Sequence, residues 1–510
     1  MSGKQLGIIF ATLVLIFMSI PGTASAAAGK IVIAQGAEQR AIDAHKGGSN
    51  MWLNTSLMLY DALIRRTWDG KLEPSLAVSW KNVTPETWEF KLRQGVQFHN
   101  GEPCTASDIK FSFDRMRAPE TKFPFRTWFK TITDVKVVDD VTVQVTTVKP
   151  DPTLLTRLAL GGFVVPEDYI KEHGDDYFGK HPIGTGRYRF VKWVQNDYVE
   201  LAASENYWGE DPPTVQSIIF KVIPENGARV AALQTGEVDI ATNLPPFMVS
   251  RLKQDPNINV ISGPSGRVIF IGMSLLDNQN PGPLADKKVR QAMNYAVDKD
   301  SLVKHVLMGS AEVLSGPVVP VSFGYDPTIK PYPYDPEKAK KLLAEAGYPD
   351  GFSTKLDTGS GRYLMDKQVA EAVAGMLGKV GIQVKLNVLE WGQYVKARRS
   401  HTQSPLYLLG WGNPTYDADT PLSSLFCIDC THSNYHNPEL VALASASRHE
   451  LDPAKREVLI HKALRMIHEE APWIFLYEQG DNYGVRKRVG NFYKAAGSET
   501  MRCDMLKIVE

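Results

Sequence analysis

Apolar and polar positions change rhythm repeatedly along the chain. Trp88, Phe90 and Leu92 alternate with Glu89, Lys91 and Arg93, the two-residue period of a half-buried strand. His99-Asn100-Gly101 then marks a turn, Thr105 precedes Asp108 at capping-box spacing, and Ile109, Phe113 and Met116 recur at helical spacing. A helix is expected from there. Val135 and Val137, then Val141, Val143 and Val145, flank Asp139-Asp140 and predict a hairpin. Residues 55–182 therefore read as one compact module. Pro182-Ile183-Gly184-Thr185-Gly186 interrupts regular backbone ahead of a strand pair built on Tyr188, Phe190 and Tyr198 to Leu201, and a crossing between domains is expected there.

The alternation continues to the C-terminal region. Asp335-Pro336 supplies an N-cap and a proline suited to the first helical position, with Gly347 closing that helix. Val369, Val373, Met376 and Val380 form a helical stripe, and Ile382, Val384, Leu386 and Val388 alternate as a strand. Asp452-Pro453 opens a helix running through Ile467, and Trp473 to Tyr477 reads as a short buried strand. Interleaved helices and strands without an internal repeat predict an α/β chain. Its 510 residues, at roughly 150 per domain, suggest about three domains.

Met1 to Lys4 give a positive start, Leu6 to Ile20 are apolar and uncharged, and Thr23-Ala24-Ser25-Ala26 offers small residues for cleavage. This is the anatomy of a secretory signal peptide, residues 1–26. The apolar stretch is shorter than the roughly 20 residues that span a membrane and breaks at Pro21-Gly22, so a periplasmic mature protein is expected. Apolar residues at 43% and charged residues at 22% rule out wholesale disorder. Lys plus Arg (57) balances Asp plus Glu (57), leaving no basic excess for nucleic acid.

Four cysteines, Cys104, Cys427, Cys430 and Cys503, permit three disulfide pairings in an oxidising compartment. Unpaired thiols are a second reading. A metal is a third, because Cys427 and Cys430 with His432 and His436 could complete a zinc tetrahedron, although the spacing is not a standard one. Hydrolase and metal signatures are otherwise missing: there is no Gly-x-Ser-x-Gly, no His-Glu-x-x-His and no EF-hand loop. Gly174 to Lys180 fits Gly-x4-Gly-Lys, but His181 stands where a magnesium-binding hydroxyl is needed. Asp175-Asp176 and Glu469-Glu470 are sequence neighbours and form no facing acid/base pair. No catalytic residue and no cofactor is expected.

Separated segments together resemble the family 5 extracellular solute-binding proteins of ABC importers, which include dipeptide-, oligopeptide- and nickel-binding proteins. They are Tyr60-Asp-Ala-Leu-Ile64, Leu72-Glu-Pro-Ser-Leu-Ala77 with Trp80, Gly95-Val-Gln-Phe-His-Asn-Gly101 with Thr105-Ala-Ser-Asp108, Pro182-Ile-Gly-Thr-Gly186 with Tyr188, Asn206-Tyr-Trp-Gly209, Gly236-Glu-Val-Asp239, Val289-Arg-Gln-Ala292 with Tyr295-Ala-Val-Asp298, and Tyr334-Asp-Pro-Glu-Lys-Ala339. The resemblance implies an α/β periplasmic binding protein-like two-lobed flytrap, type II and cluster C, with an extra inserted domain. It places domain I at 27–54, 183–266 and 478–510, the inserted domain II at 55–182, and domain III, the second ligand-binding lobe, at 267–477. It further implies a monomer that closes on a solute and docks on an inner-membrane ABC permease, without chemistry.

Dipeptide and oligopeptide binders carry an aspartate for the peptide ammonium shortly after a strand-ending tryptophan. Here that stretch is Gly410-Trp-Gly-Asn-Pro-Thr-Tyr-Asp-Ala-Asp419: Asn413 and Pro414 occupy the expected position, and the carboxylates come later, as Asp417 and Asp419. Asp417 reads equally as a cleft residue or a loop cap. Arg362 lies near where dipeptide binders place an arginine for the ligand carboxylate, a role suited to planar bidentate donors; a surface or interdomain ion pair is its alternative. Ser49 to Trp52 correspond to a cleft-lining loop, making Met51 and Trp52 candidates for apolar contact, with Trp411 and Tyr416 as aromatic walls; core packing competes for all four. The expected cargo is a short peptide or amino-acid-derived solute. The alternatives are a metal chelate such as a nickel complex on the same architecture and, more remotely, a secreted hydrolase.

Overall fold

The computed structural model describes residues 29–67, 70–359, 361–427, 432–494 and 500–509. The expected signal segment 1–26 and Cys430 lie outside the described residues. A mixed 11-stranded sheet forms the spine. Its strands run in the order Ile382–Val388, Phe352–Thr358, Leu406–Gly412, Ile258–Met273, Trp473–Arg486, Ile240–Ala241, Lys30–Gln35, Ser217–Val222, Tyr198–Ala203 and Tyr188–Val194, with Ala311–Val313 added on Trp473–Arg486. Lys30–Gln35 and Phe352–Thr358 each pair in parallel with both neighbours. This agrees with the α/β expectation, and the sheet divides into two lobes.

Two long antiparallel strands join the lobes. Ile258 to Pro264 pair with Arg486 to Gly480 on the first-lobe side, and Arg267 to Gly272 pair with Gln479 to Trp473 on the second. The register breaks between Pro264 and Arg267. Pro264 cannot donate to the ladder, Gly266 adopts φ +77°, and the two residues between the paired stretches form a bulge that re-aims the strand. The second strand therefore runs well beyond Tyr477, where the sequence pattern ended it. Glu478, Gln479, Asp481 and Asn482 interrupt the apolar run yet are buried, because this stretch crosses between lobes instead of facing solvent.

In the second lobe helices cover both sheet faces. Ile269, Ile271 and Leu408 pack with Val289, Met293, Val369 and Val373 on one side, and Phe270 and Phe475 with Ile460 and Ile467 on the other. The helices begin as expected: Asp335 accepts from Lys338 N–H at 2.9 Å, and Asp452 from Ala454 N–H at 2.9 Å. A four-stranded antiparallel module, Ala77–Thr84, Thr87–Leu92, Thr142–Thr147 and Ile132–Asp139, extends the first lobe. Its helix Ala106–Arg117 is opened by Asp108, which accepts from the backbone N–H and hydroxyl of Thr105, each at 2.8 Å. Gly184 and Gly186 lie so close to the end of helix Asn50–Leu59 that a Cβ would stand 2.1 Å from the Leu59 carbonyl oxygen and 2.3 Å from that of Met58. Only glycine fits this approach, which accounts for the Gly-Thr-Gly pattern.

Candidate ligand cleft

Two cavities open between the lobes, and Gly48, Asn50, Arg267, Arg362 and Tyr363 line both. The larger, about 930 Å³, is walled by Met51, Asn226, Asn243, Gln479, Asp481 and other mostly polar residues. The smaller, about 320 Å³, is walled by Phe125, Trp391, Leu409, Trp411 and Asn413, with Arg398, Arg399 and His432. Cavities of this size suit a small organic ligand, with the polar groups concentrated in the larger one.

Arg362 projects from a loop built by one carboxylate. Asp366, at the start of helix Asp366–Gly378, is buried and accepts from the backbone N–H groups of Gly361 (3.0 Å), Arg362 (2.9 Å) and Tyr363 (3.1 Å). Gly361 at φ +80° makes the turn possible. The Arg362 guanidinium stands 5.1 Å from the Tyr363 ring centre and 5.5 Å from that of Trp391, while Tyr363 donates its hydroxyl to the Gly410 carbonyl at 3.2 Å. Arg267, immediately past the register break, is buried, donates to the same carbonyl at 3.3 Å and places its guanidinium 5.6 Å from the Tyr363 ring. Two guanidinium groups thus neighbour one aromatic ring where the cavities meet.

The loop after strand Leu406–Gly412 divides its residues between two faces. Trp411 and Asn413 line the smaller cavity, but the Asn413 side chain is engaged within the turn, donating to the Asp417 carbonyl at 2.9 Å and accepting from the Thr415 hydroxyl at 2.8 Å. Tyr416 faces away from both large cavities, at φ +53°, with the Arg66 guanidinium 4.5 Å from its ring centre. Arg66 also donates to the Pro414 carbonyl at 2.7 Å. Asp417 accepts two hydrogen bonds from Arg456, at 2.6 and 2.8 Å. Asp419 pairs with Arg157 and Arg448, each at 2.8 Å. Burial pushes the Asp419 carboxyl up, but Arg448 and Arg157 outweigh it and hold it below the usual carboxylate range. Neither carboxylate lines the two cavities; buried guanidinium partners hold both on the back of the loop.

Met51 lines the larger cavity. Trp52 does not: it is fully buried, its indole N–H donates to the Asp43 carbonyl at 3.0 Å, and its ring packs against Phe125 and Phe163. Helical geometry turns adjacent residues about 100° apart, so Met51 and Trp52 cannot share one face. Cys427 is disulfide-bonded and Cys104 is a free cysteine, which removes the Cys427 thiolate that the metal reading required. His432 lines the smaller cavity, 5.3 Å from Trp411, and His436 is exposed. Among the described residues no cluster of three or more His, Cys, Asp or Glu is placed to hold a metal, and no helix is long and apolar enough to cross a membrane. Sequence reasoning missed Arg267, Asp366, Trp391, Arg398 and Arg399. Nothing local marks the first two, but the last three lie on one helix, Trp391–Arg399, whose Trp-to-Arg spacing was a usable signal.

The chain belongs to the bacterial extracellular solute-binding proteins, family 5, whose model matches residues 71–430. These are the solute-binding components of ABC importers. A relative from Pectobacterium atrosepticum, glutathione-binding protein GsiB, is 31% identical over 480 residues, 92% of each chain. Among solved structures, the Helicobacter pylori periplasmic binding protein DppA in complex with the peptide STSA is 27% identical, with TM-score 0.80 over 94% of this chain and 98% of that one. Campylobacter jejuni NikZ in complex with Ni(L-His) is 25% identical, with TM-score 0.79 over 92% and 97%.

Proposed function

We propose that this chain is exported by its N-terminal signal segment and works in the periplasm as a monomer. There it captures a short peptide or amino-acid-derived solute between its lobes and delivers it to an inner-membrane ABC permease without altering it. The observation that carries this reading is the paired cavity with Arg362 and Arg267 at its junction, both beside Tyr363. Guanidinium groups in a water-poor cleft select a carboxylate, and planar donors grip it bidentately. Met51, Trp411 and Tyr363 supply contact area, and Asn413 shapes the loop. Asp481, on the wall of the larger cavity, is the carboxylate we assign to a ligand ammonium in place of the residue the dipeptide binders use. The similarity to a glutathione-binding protein supports a peptide-like cargo and makes glutathione the first compound to try.

The test is native mass spectrometry of the protein purified from periplasm, followed by denaturation and mass analysis of what is released, with calorimetric titration of the released compound. A peptide-like organic mass that rebinds supports the reading. A metal isotope pattern, or no binding across a panel of short peptides and amino-acid derivatives, overturns it.

A further inference from the structure

The smaller cavity has a charge character that the assignment of one carboxylate to Arg362 leaves unused. Arg362, Arg267, Arg398 and Arg399 contribute to its wall, and among the described residues no Asp or Glu does. Arg398 is 3% exposed, lies with its guanidinium 3.7 Å from the Tyr407 ring centre, donates to the His432 carbonyl at 3.3 Å, and has no carboxylate partner among the described residues; its Nε is buried without a hydrogen-bond acceptor. The Trp411 indole N–H is also buried without an acceptor. Both of these orphaned groups are donors, both belong to residues on the same wall, and a buried donor without a partner keeps its full desolvation cost. An arginine is rarely buried without a counter-charge. Burial, then the nearby Arg398 and Arg399 charges, push His432 below its ordinary range, so this imidazole adds no further positive charge near neutral pH. Around these donors the wall is apolar: Phe125, Trp391, Leu409 and the Trp411 ring.

We infer that the smaller cavity is a subsite for a second acidic group of the solute, an anionic oxygen-bearing group on a short organic stem, recognised by Arg398, Arg399 and the Trp411 indole N–H. This rests on the peptide-like reading above and narrows it to solutes with two acidic groups. The stem packs against Trp391 and Leu409, and the anionic oxygens supply the acceptors that the two buried donors lack.

The experiment compares acids with their amides by calorimetry: Ala-Glu with Ala-Gln, and glutathione with its two monoamides. In the wild-type protein, loss of the second acid weakens binding about tenfold, the loss expected when a charged hydrogen bond becomes a neutral one. Arg399 is exposed, so Arg399→Gln keeps the fold, and Arg398→Gln is the second, buried variant. In each, the acid and amide of a pair converge to within about threefold. Equal binding of acid and amide to the wild-type protein overturns the inference, as does an acid preference that survives both substitutions. If no probe binds the folded wild-type protein, the peptide reading itself falls, a result distinct from binding without preference.

Discussion

The two faces of the loop from Trp411 to Asp419 make an instructive contrast. On its back, every carboxylate meets a buried guanidinium: Asp417 with Arg456, Asp419 with Arg157 and Arg448. On its front, toward the smaller cavity, two buried donors lack acceptors and no carboxylate is present among the described residues. The back is internally neutralised and can be held rigid. The front is left with charge to offer. Arg157, Arg66, which grips Pro414, and Pro150, whose carbonyl faces His449 at 2.9 Å, all come from the chain flanking the four-stranded module. These residues therefore support the cleft wall from behind, while Phe125 from the same stretch of chain lines the smaller cavity itself.

Substitutions should separate the two faces. The largest effect belongs to Asp417→Asn, which leaves Arg456 buried beside an uncharged partner; unfolding in urea should show a loss of about 3–5 kcal/mol. Equal stability of the variant would refute the structural role of the back face. Arg362→Ala should weaken binding of a carboxylate ligand by about 2 kcal/mol with little change in the urea midpoint, and unchanged affinity would remove Arg362 from the site. On the back face, acid should act through Asp419. Since Asp419 is held below its ordinary range in the fold, its contribution is complete above the unfolded pKa of about 3.9 and is lost as pH falls through the lower folded value. Asp419→Asn should flatten that limb of a stability-against-pH curve, and an unaltered limb would assign acid lability elsewhere. The smallest change is Trp411→Phe, which keeps the ring and deletes the indole N–H. Stability should hold or rise by under about 1 kcal/mol, while any loss appears in affinity for acidic ligands; a clear destabilisation would show that the N–H is satisfied in the free protein.

Much of the fold was legible because its signals are local. The caps at Asp108, Asp335 and Asp452 and the helical stripe at Val369 and Val373 need only a few neighbouring residues to declare themselves. The site was harder. Arg362 was legible through its resemblance to a family position, and the structure places it on the cleft. Trp52 and Asp417 are of the residue types a cleft uses, but their partners Asp43 and Arg456 are decided by tertiary packing. Arg267 comes to Tyr363 only because a strand breaks register and crosses between lobes, and Asp366 works on backbone N–H groups, which leave no mark in composition. The strand beyond Tyr477 was lost for a related reason: polar residues in a crossing strand imitate the end of a strand.

That crossing has a mechanical consequence. Two antiparallel strands, hydrogen-bonded along nearly their whole length, pass between the lobes, with irregularities in their pairing at Pro264 to Arg267 and, further into the second lobe, at Ile269 to Phe270. A ribbon of this kind resists shearing and in-plane bending far more than flexing across its pleat. Relative motion of the lobes is thereby restricted to something close to a single axis, a door on a strap hinge and not a ball in a socket. One pair of dyes, one on each side of that axis, would suffice to follow opening and closing as a single coordinate.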